Sequence, residues 1–103
     1  MNSSDTSGWN LNDYRNPGEV KLIEGVISGE KDAIEHLFEK YRGKIIRISN
    51  KYVDNQILNE KLIDVGNRGL IKAAHRFHST KGFNFSAYAA WWIRKFFVKE
   101  LNA

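Results

Sequence analysis

Apolar residues in this chain recur mostly every three or four positions, the spacing of a helix face, and seldom alternate as in a half-buried strand. Asn16-Pro17-Gly18-Glu19 is a helix-start signal, with Asn at the N-cap and Pro in the first helical position. Val20, Ile23, Val26 and Ile27 then form a stripe that Ser28-Gly29 breaks. A second helix starts at Asp32 or a neighbour. It carries Ile34, Leu37, Phe38, Tyr41, Ile45, Ile48 and Tyr52 to about Val53, and Gly43 does not end it. Asp54-Asn55-Gln56 reads as a turn. A third helix runs from about Asn59 to Phe77, with Leu62, Gly66, Leu70, Ala73 and Phe77 on one face. His78 to Gly82 is a loop. A last helix, capped by Ser86 or a near neighbour, continues to about Leu101. The pattern predicts an all-α fold, a compact bundle of about four helices. Residues 1–16 form a polar tail and residues 17–103 a single helical domain.

Charge divides the chain in two. Residues 1–60 carry eight Lys/Arg against ten Asp/Glu, and residues 61–103 carry eight against two. The net charge of +4 therefore sits on the second half. No cysteine is present, which removes disulfide and thiolate chemistry. No apolar run approaches the ~20 residues of a membrane span, and the polar first residues do not resemble a signal peptide.

The basic half is also the aromatic half. Lys81, Phe83, Phe85, Tyr88, Trp91, Trp92, Arg94 and Lys95 fall within residues 81–95. On a helical wheel Phe85, Ala89, Trp92, Ile93, Phe96 and Phe97 share a core arc. Tyr88, Trp91, Lys95 and Val98 share another, with Lys99 at its edge. Trp91 is thus expected in an exposed stripe and Trp92 toward the core; the competing expectation is that Trp91 packs on a neighbouring helix or on the tail. Exposed aromatic faces beside bases suit unpaired nucleobases on a phosphate backbone. Arg94 lies away from both arcs and is expected to meet backbone phosphate or solvent. The preceding loop, with Lys81 and Phe83, completes a pocket for a base turned out of a duplex.

The run from Leu62 through Gly66-Asn67-Arg68-Gly69-Leu70-Ile71-Lys72-Ala73-Ala74 to Arg76-Phe77, followed by Lys81-Gly82-Phe83-Asn84-Phe85-Ser86-Ala87-Tyr88-Ala89-Ala90-Trp91-Trp92-Ile93-Arg94, closely resembles domain 2 of bacterial RNA polymerase sigma factors. The likeness is strongest to the housekeeping-type branch. The strong match covers about residues 61–95; residues 30–60 are similar only in helical layout and in the Tyr41-to-Tyr52 stretch.

The resemblance implies a sigma factor, or an isolated sigma domain 2, with two tasks. The helix at 59–77 docks on the clamp coiled coil of the polymerase's largest subunit. It implies Glu60, Lys61, Asp64, Asn67, Arg68 and Ile71 for that core-binding task. Glu60, Asp64, Asn67 and Ile71 also share the helix face opposite Leu62 and Leu70, where Ile71 is expected exposed among polar groups. The loop and helix at 78–101 recognise and melt the promoter −10 element by capturing non-template bases. Phe77, Lys81, Phe83, Asn84, Ala87, Tyr88, Trp91, Trp92, Arg94, Lys95, Val98 and Lys99 are the DNA-binding candidates. Tyr88 replaces a flipped adenine in the stack, and the tryptophans mark the upstream edge of the melted region. Lys95 stands where many members have glutamine, His78 where an acid is common, Asn84 where a base is common, and Val65 where an acid is usual on or near the clamp face.

The implied partners are core RNA polymerase and single-stranded promoter DNA; an anti-sigma factor also fits, and a membrane does not. The implied setting is the cytoplasm of a bacterium, with the gene bacterial or phage-borne. A second reading is a polymerase-binding regulator or decoy that docks without initiating. Enzyme chemistry is not expected. His36, His75 and His78 lack metal-ligand spacing with acids on one face, and no phosphate-cradling glycine loop occurs. No cofactor or metal is expected.

Overall fold

A computed structural model of the chain describes residues 17–53, 56–77 and 84–102. The tail at 1–16, the Asp54-Asn55 part of the expected turn and the loop carrying Lys81 and Phe83 lie outside the described residues. Within them the chain forms four helices and no strand: α1 (Pro17–Ile27), α2 (Lys31–Ser49), α3 (Gln56–Arg76) and α4 (Phe85–Leu101).

The helix ends follow local chemistry. Pro17 opens α1, where its missing N–H costs nothing. Gly29 closes it at φ 80°, with Glu30 N bonded to Gly25 O at 2.9 Å and Gly29 N to Val26 O at 3.0 Å. This is the left-handed glycine stop, cheap only without a Cβ. α2 was expected to reach Val53 but ends at Ser49. Beyond it Lys51 N and Tyr52 N bond back to Ile48 O and Ser49 O, three residues behind, so the final turn tightens. α3 starts at Gln56, earlier than expected, so Gln56 belongs to the helix and not to the turn. The α4 cap is Asn84, a near neighbour of Ser86 as expected. Its extended backbone and short side chain let its Oδ1 accept from Ala87 N at 2.7 Å.

The core joins all four helices. Ile23 and Val26 of α1 meet Leu37, Tyr41, Ile45 and Ile48 of α2. Leu62, Leu70 and Ala73 of α3, and Phe77 just after it, lie buried with them as the wheel predicted; Phe85, Ala89, Ala90, Ile93 and Phe97 of α4 are buried too. Full burial of a large apolar side chain contributes ~1.5–3 kcal/mol, and Leu37, Ile45, Leu70, Ile93, Phe85 and Phe97 are all in that state.

Val65, which the resemblance put on or near the clamp face, is also core, at 5% exposed, beneath the residues of that face. It lies three residues from Leu62 and so shares its stripe.

Two glycines set the helix spacing. A Cβ on Gly66 would fall 2.6 Å from Ile45 Cγ2, so α2 and α3 touch there. A Cβ on Gly69 would fall 3.1 Å from Ile93 Cα and 3.2 Å from Trp92 O, so α4 lies backbone-close against α3.

Candidate nucleic-acid interface

α4 carries a run of aromatic rings from the core to the surface. Fully buried Phe85 meets Phe77 edge-on, with centroids 5.3 Å apart. Phe77 tilts against Tyr88 at 5.9 Å, Tyr88 meets Trp92 at 6.4 Å, and Trp92 meets Trp91 at 5.1 Å and 87°. Trp91 ends the run at 53% exposed. Each ring is fixed by the one beneath it, so the outermost is held without a backbone loop to support it.

The wheel separated the tryptophans correctly: Trp91 is exposed and Trp92 is half-buried. It misplaced Tyr88, which is half-buried between Phe77 and Trp92 and does not stand free in the outer stripe. Phe96, placed on the core arc, is half-buried against Trp92.

Cations surround this ladder. Lys95 Nζ lies 4.8 Å from the Trp91 centroid and 5.4 Å from that of Trp92. Lys72 Nζ and the Arg76 guanidinium approach Trp92 from α3, at 5.8 and 6.0 Å. Such contacts are worth ~0.5–1 kcal/mol at exposed sites. Their further effect is to place positive charge beside flat apolar surface. Lys72 and Arg76 were not among the candidates. Their signal was present: two bases four residues apart share a helix face in the last turns before the loop.

Most of the other DNA candidates gather here. A surface hollow of about 500 Å³ is lined by Ala87, Tyr88, Trp91, Trp92 and Arg94. A second, of about 570 Å³, is lined by Trp91, Arg94, Lys95, Val98 and Lys99. Arg94 borders both, although the wheel set it apart. Two candidates differ from expectation. Phe77 is 8% exposed and supports Tyr88 from below, so its ring offers no free face. The Asn84 side chain is occupied in capping α4.

The core-binding candidates form a second surface. A groove of about 700 Å³ is lined by Lys61, Asp64, Asn67, Arg68 and Ile71, floored by Phe38, Leu62 and Val65, and closed by Glu100 and Leu101 of α4. Glu60 is exposed but stands outside the groove. Ile71, expected exposed, is half-buried and packs on the core. Arg68 Nη2 reaches Glu100 Oε1 at 3.7 Å, an exposed pair of little energetic weight. Asn67 Oδ1 is buried with no hydrogen-bond partner. An unmet acceptor costs ~1–3 kcal/mol, which a donor brought by a docking partner would recover.

Where α1 meets α2, the Tyr41 hydroxyl donates to Glu19 Oε2 at 3.0 Å and Lys40 pairs with Glu19 Oε1. Burial, with the Glu19 carboxylate beside it, pushes the Tyr41 phenol well above its ordinary range. Among the described residues, no three His, Asp or Glu side chains converge as a metal site would require. No described helix is long and apolar enough to cross a membrane.

Comparison with known proteins gives the arrangement a family. The family model described as Sigma-70 region 2 matches residues 37–103. An RNA polymerase sigma factor SigA of a Bacillus species is 39% identical over 83 residues, covering 81% of this chain and 22% of that protein. The SigA proteins of Clostridium acetobutylicum and Listeria monocytogenes are 37% and 36% identical over the same coverage. The chain thus spans about a fifth of the length of the curated relatives it matches, and the housekeeping-type likeness agrees with their names. No solved structure matches significantly. The family match covers the groove, the aromatic ladder and the helices that hold them, and the chain belongs to the sigma-70 region 2 family.

Proposed function

We propose that this chain acts as the promoter-opening domain of an RNA polymerase sigma factor. It docks on core polymerase through the α3 groove and captures unpaired bases of the promoter −10 strand on α4. The observation that carries the reading is Trp91, half-exposed at the end of a ring ladder anchored in the core, with Lys95 over its face. Base–aromatic stacking is worth ~1–3 kcal/mol per base, enough to offset the few kcal/mol of unstacking a base. No bond is made or broken by the chain; strand opening is driven by binding energy. Lys72, Arg76, Lys95 and Lys99 hold backbone phosphates while Tyr88, Trp91 and Trp92 take the bases.

Asp64, Asn67 and Ile71 form the docking contacts, joined by Lys61 and Arg68 along the groove. Half-buried Ile71 gives the patch an apolar centre with a polar rim, the usual anatomy of a protein interface. The sigma-factor names of the relatives and their match to this region support the assignment.

The test uses a labelled single-stranded −10-like oligonucleotide, a scrambled one, and core polymerase. A sigma domain binds core, selects the −10-like strand and yields transcripts from a pre-melted promoter. Core binding without strand selection or transcripts identifies a docking regulator and overturns the opening role.

A further inference from the structure

Residues 61–103 hold two acids against eight bases, and the two are Asp64 and Glu100. They lie on different helices, far apart in sequence, yet both line the groove of about 700 Å³. The hollows of the ring ladder are lined by bases and by no acid among the described residues. The basic half of the chain thus keeps its negative charge for the groove. The two carboxylates are not equivalent. Asp64 has Lys61 three residues before it and Arg68 four after, neighbours on its own helix face. At three and four residues before Glu100 stand Phe97 and Phe96. Its carboxylate is met from across the groove, by Arg68 at 3.7 Å, with both side chains more than half exposed. Beside it, at the groove's edge, Leu101 is 41% exposed. One turn of α4 therefore offers an open apolar side chain and a loosely held acid to whatever fills the groove.

We infer that the last turn of α4 is part of the polymerase-docking surface, and that Glu100 selects a docking helix with a Lys or Arg opposite it. The inference rests on the reading of the groove as the docking site, and carries that site from α3 onto a second helix. A helix laid in a groove is held by apolar anchors, with polar contacts at the rim. Here an apolar side chain of the partner reaches Phe38, Leu62 and Leu101, while a donor meets the buried Asn67 Oδ1. A cation facing Glu100 takes the place of Arg68. The exchange costs little, because an exposed pair at 3.7 Å is weak. Arg68 is then released to an acid on the same partner. A partner with an acid opposite Glu100 is repelled, which is how interface charge rejects wrong partners.

The test measures binding of the full chain to core polymerase and, separately, to a −10-like single strand. Glu100→Arg should weaken polymerase binding about 10-fold or more, through like-charge repulsion. Leu101→Ala should weaken it about 5-fold, through lost apolar contact. Strand binding should hold or rise slightly in both. Arginine at a helix C-terminus suits the helix dipole, so folding is not at risk. The control is Glu24→Arg, exposed on α1 and outside the groove, which should leave polymerase binding unchanged. The swap Arg68→Glu/Glu100→Arg keeps the attraction within the pair but reverses the charges a partner meets, so its binding should stay low. Recovery in the swap overturns the inference, since Glu100 would then serve to hold Arg68. Unchanged polymerase binding in Glu100→Arg or in Leu101→Ala overturns it too. So does an equal loss in the control, or a fall in strand binding as large as the fall in polymerase binding. Asp64→Arg in the same assay tests the docking reading. If Asp64→Arg loses binding and Glu100→Arg does not, that reading stands and the inference falls. If Glu100→Arg alone loses it, the α4 contact stands and the α3 assignment falls; if neither does, both fall.

Discussion

The Lys95 ammonium lies over the face of Trp91, 4.8 Å from the ring centroid, and shares its charge with Trp92 at 5.4 Å. The most exposed ring among the described residues is thus already covered by a cation. In the proposed role, an incoming base would meet charge and stacking surface at one point, with the lysine placed to turn to its phosphate.

Trp91→Ala removes that stacking face and little else, because the ring is half exposed. A −10-like single strand should bind about 10-fold more weakly, as expected for one stacked base at ~1–3 kcal/mol. Thermal stability and core polymerase binding should be unchanged. Fluorescence anisotropy and a polymerase pull-down measure the two; a parallel fall in both makes Trp91 structural.

Lys95→Gln keeps a hydrogen-bonding side chain but removes the charge. The salt slope for strand binding should drop by ~0.7, the value for one phosphate contact. Tryptophan emission of the free protein should also change as the ammonium leaves both rings. Titrations at several salt concentrations, with spectra of the free variant, check both.

Asp64→Arg reverses the charge on the groove wall, which shares no lining residue with the hollows of the ring ladder. Polymerase binding should fall at least tenfold in a competition assay, with strand affinity held or slightly raised by the added charge. A loss of strand affinity as large as the loss of polymerase binding would remove the groove from the docking assignment.

Gly66→Ala places a methyl against Ile45, where a Cβ would come within 2.6 Å of Cγ2. Overpacking costs ~1–3 kcal/mol, offset in part by the ~1 kcal/mol that alanine gains over glycine in a helix. A net loss of about 1–2 kcal/mol should lower the Tm by roughly 4–16 °C for a domain this size. In the double variant with Ile45→Ala the two losses should be less than additive, because the clash is gone.

Tyr41 gives the fold a pH signature. Its phenol is raised above the ordinary 10.0 in the folded state, by burial first and then by Glu19. A group raised on folding stabilises the native state fully below its unfolded value. That contribution declines as pH rises above about 10, where the unfolded chain ionises and the folded one does not. Tyr41→Phe should therefore flatten the alkaline fall in stability, read from urea melts across that range.

Much of this fold could be read from periodicity. The face of Leu62, Gly66, Leu70 and Ala73 on α3, continued by Phe77 just beyond its end, is buried throughout, because a repeat of three and four fixes a helix face whatever lies against it. The misses share one cause: a wheel describes a helix alone. It could not say that α3 is covered over an arc wide enough to bury Val65 and half-bury Ile71, nor that Phe77 would draw Tyr88 inward. The α4 cap could be placed only at Ser86 or a near neighbour, because Asn84 and Ser86 both suit the role and only the path of the incoming chain decides for Asn84. The cations around Trp92 come from two helices, so no single stretch of sequence displays them together.

Gly69 has the widest consequence. Its bare Cα lets α4 lie against α3 with main chain touching main chain, at the level of Trp92 and Ile93. At that level there is no side-chain cushion between the helix that lines the groove and the helix that bears the ladder. A partner gripping the groove, as proposed, would push on α4 through main chain at this point and not through side chains that can repack. A partner that reorients on docking would in this way aim the strand-binding rings as well as hold them.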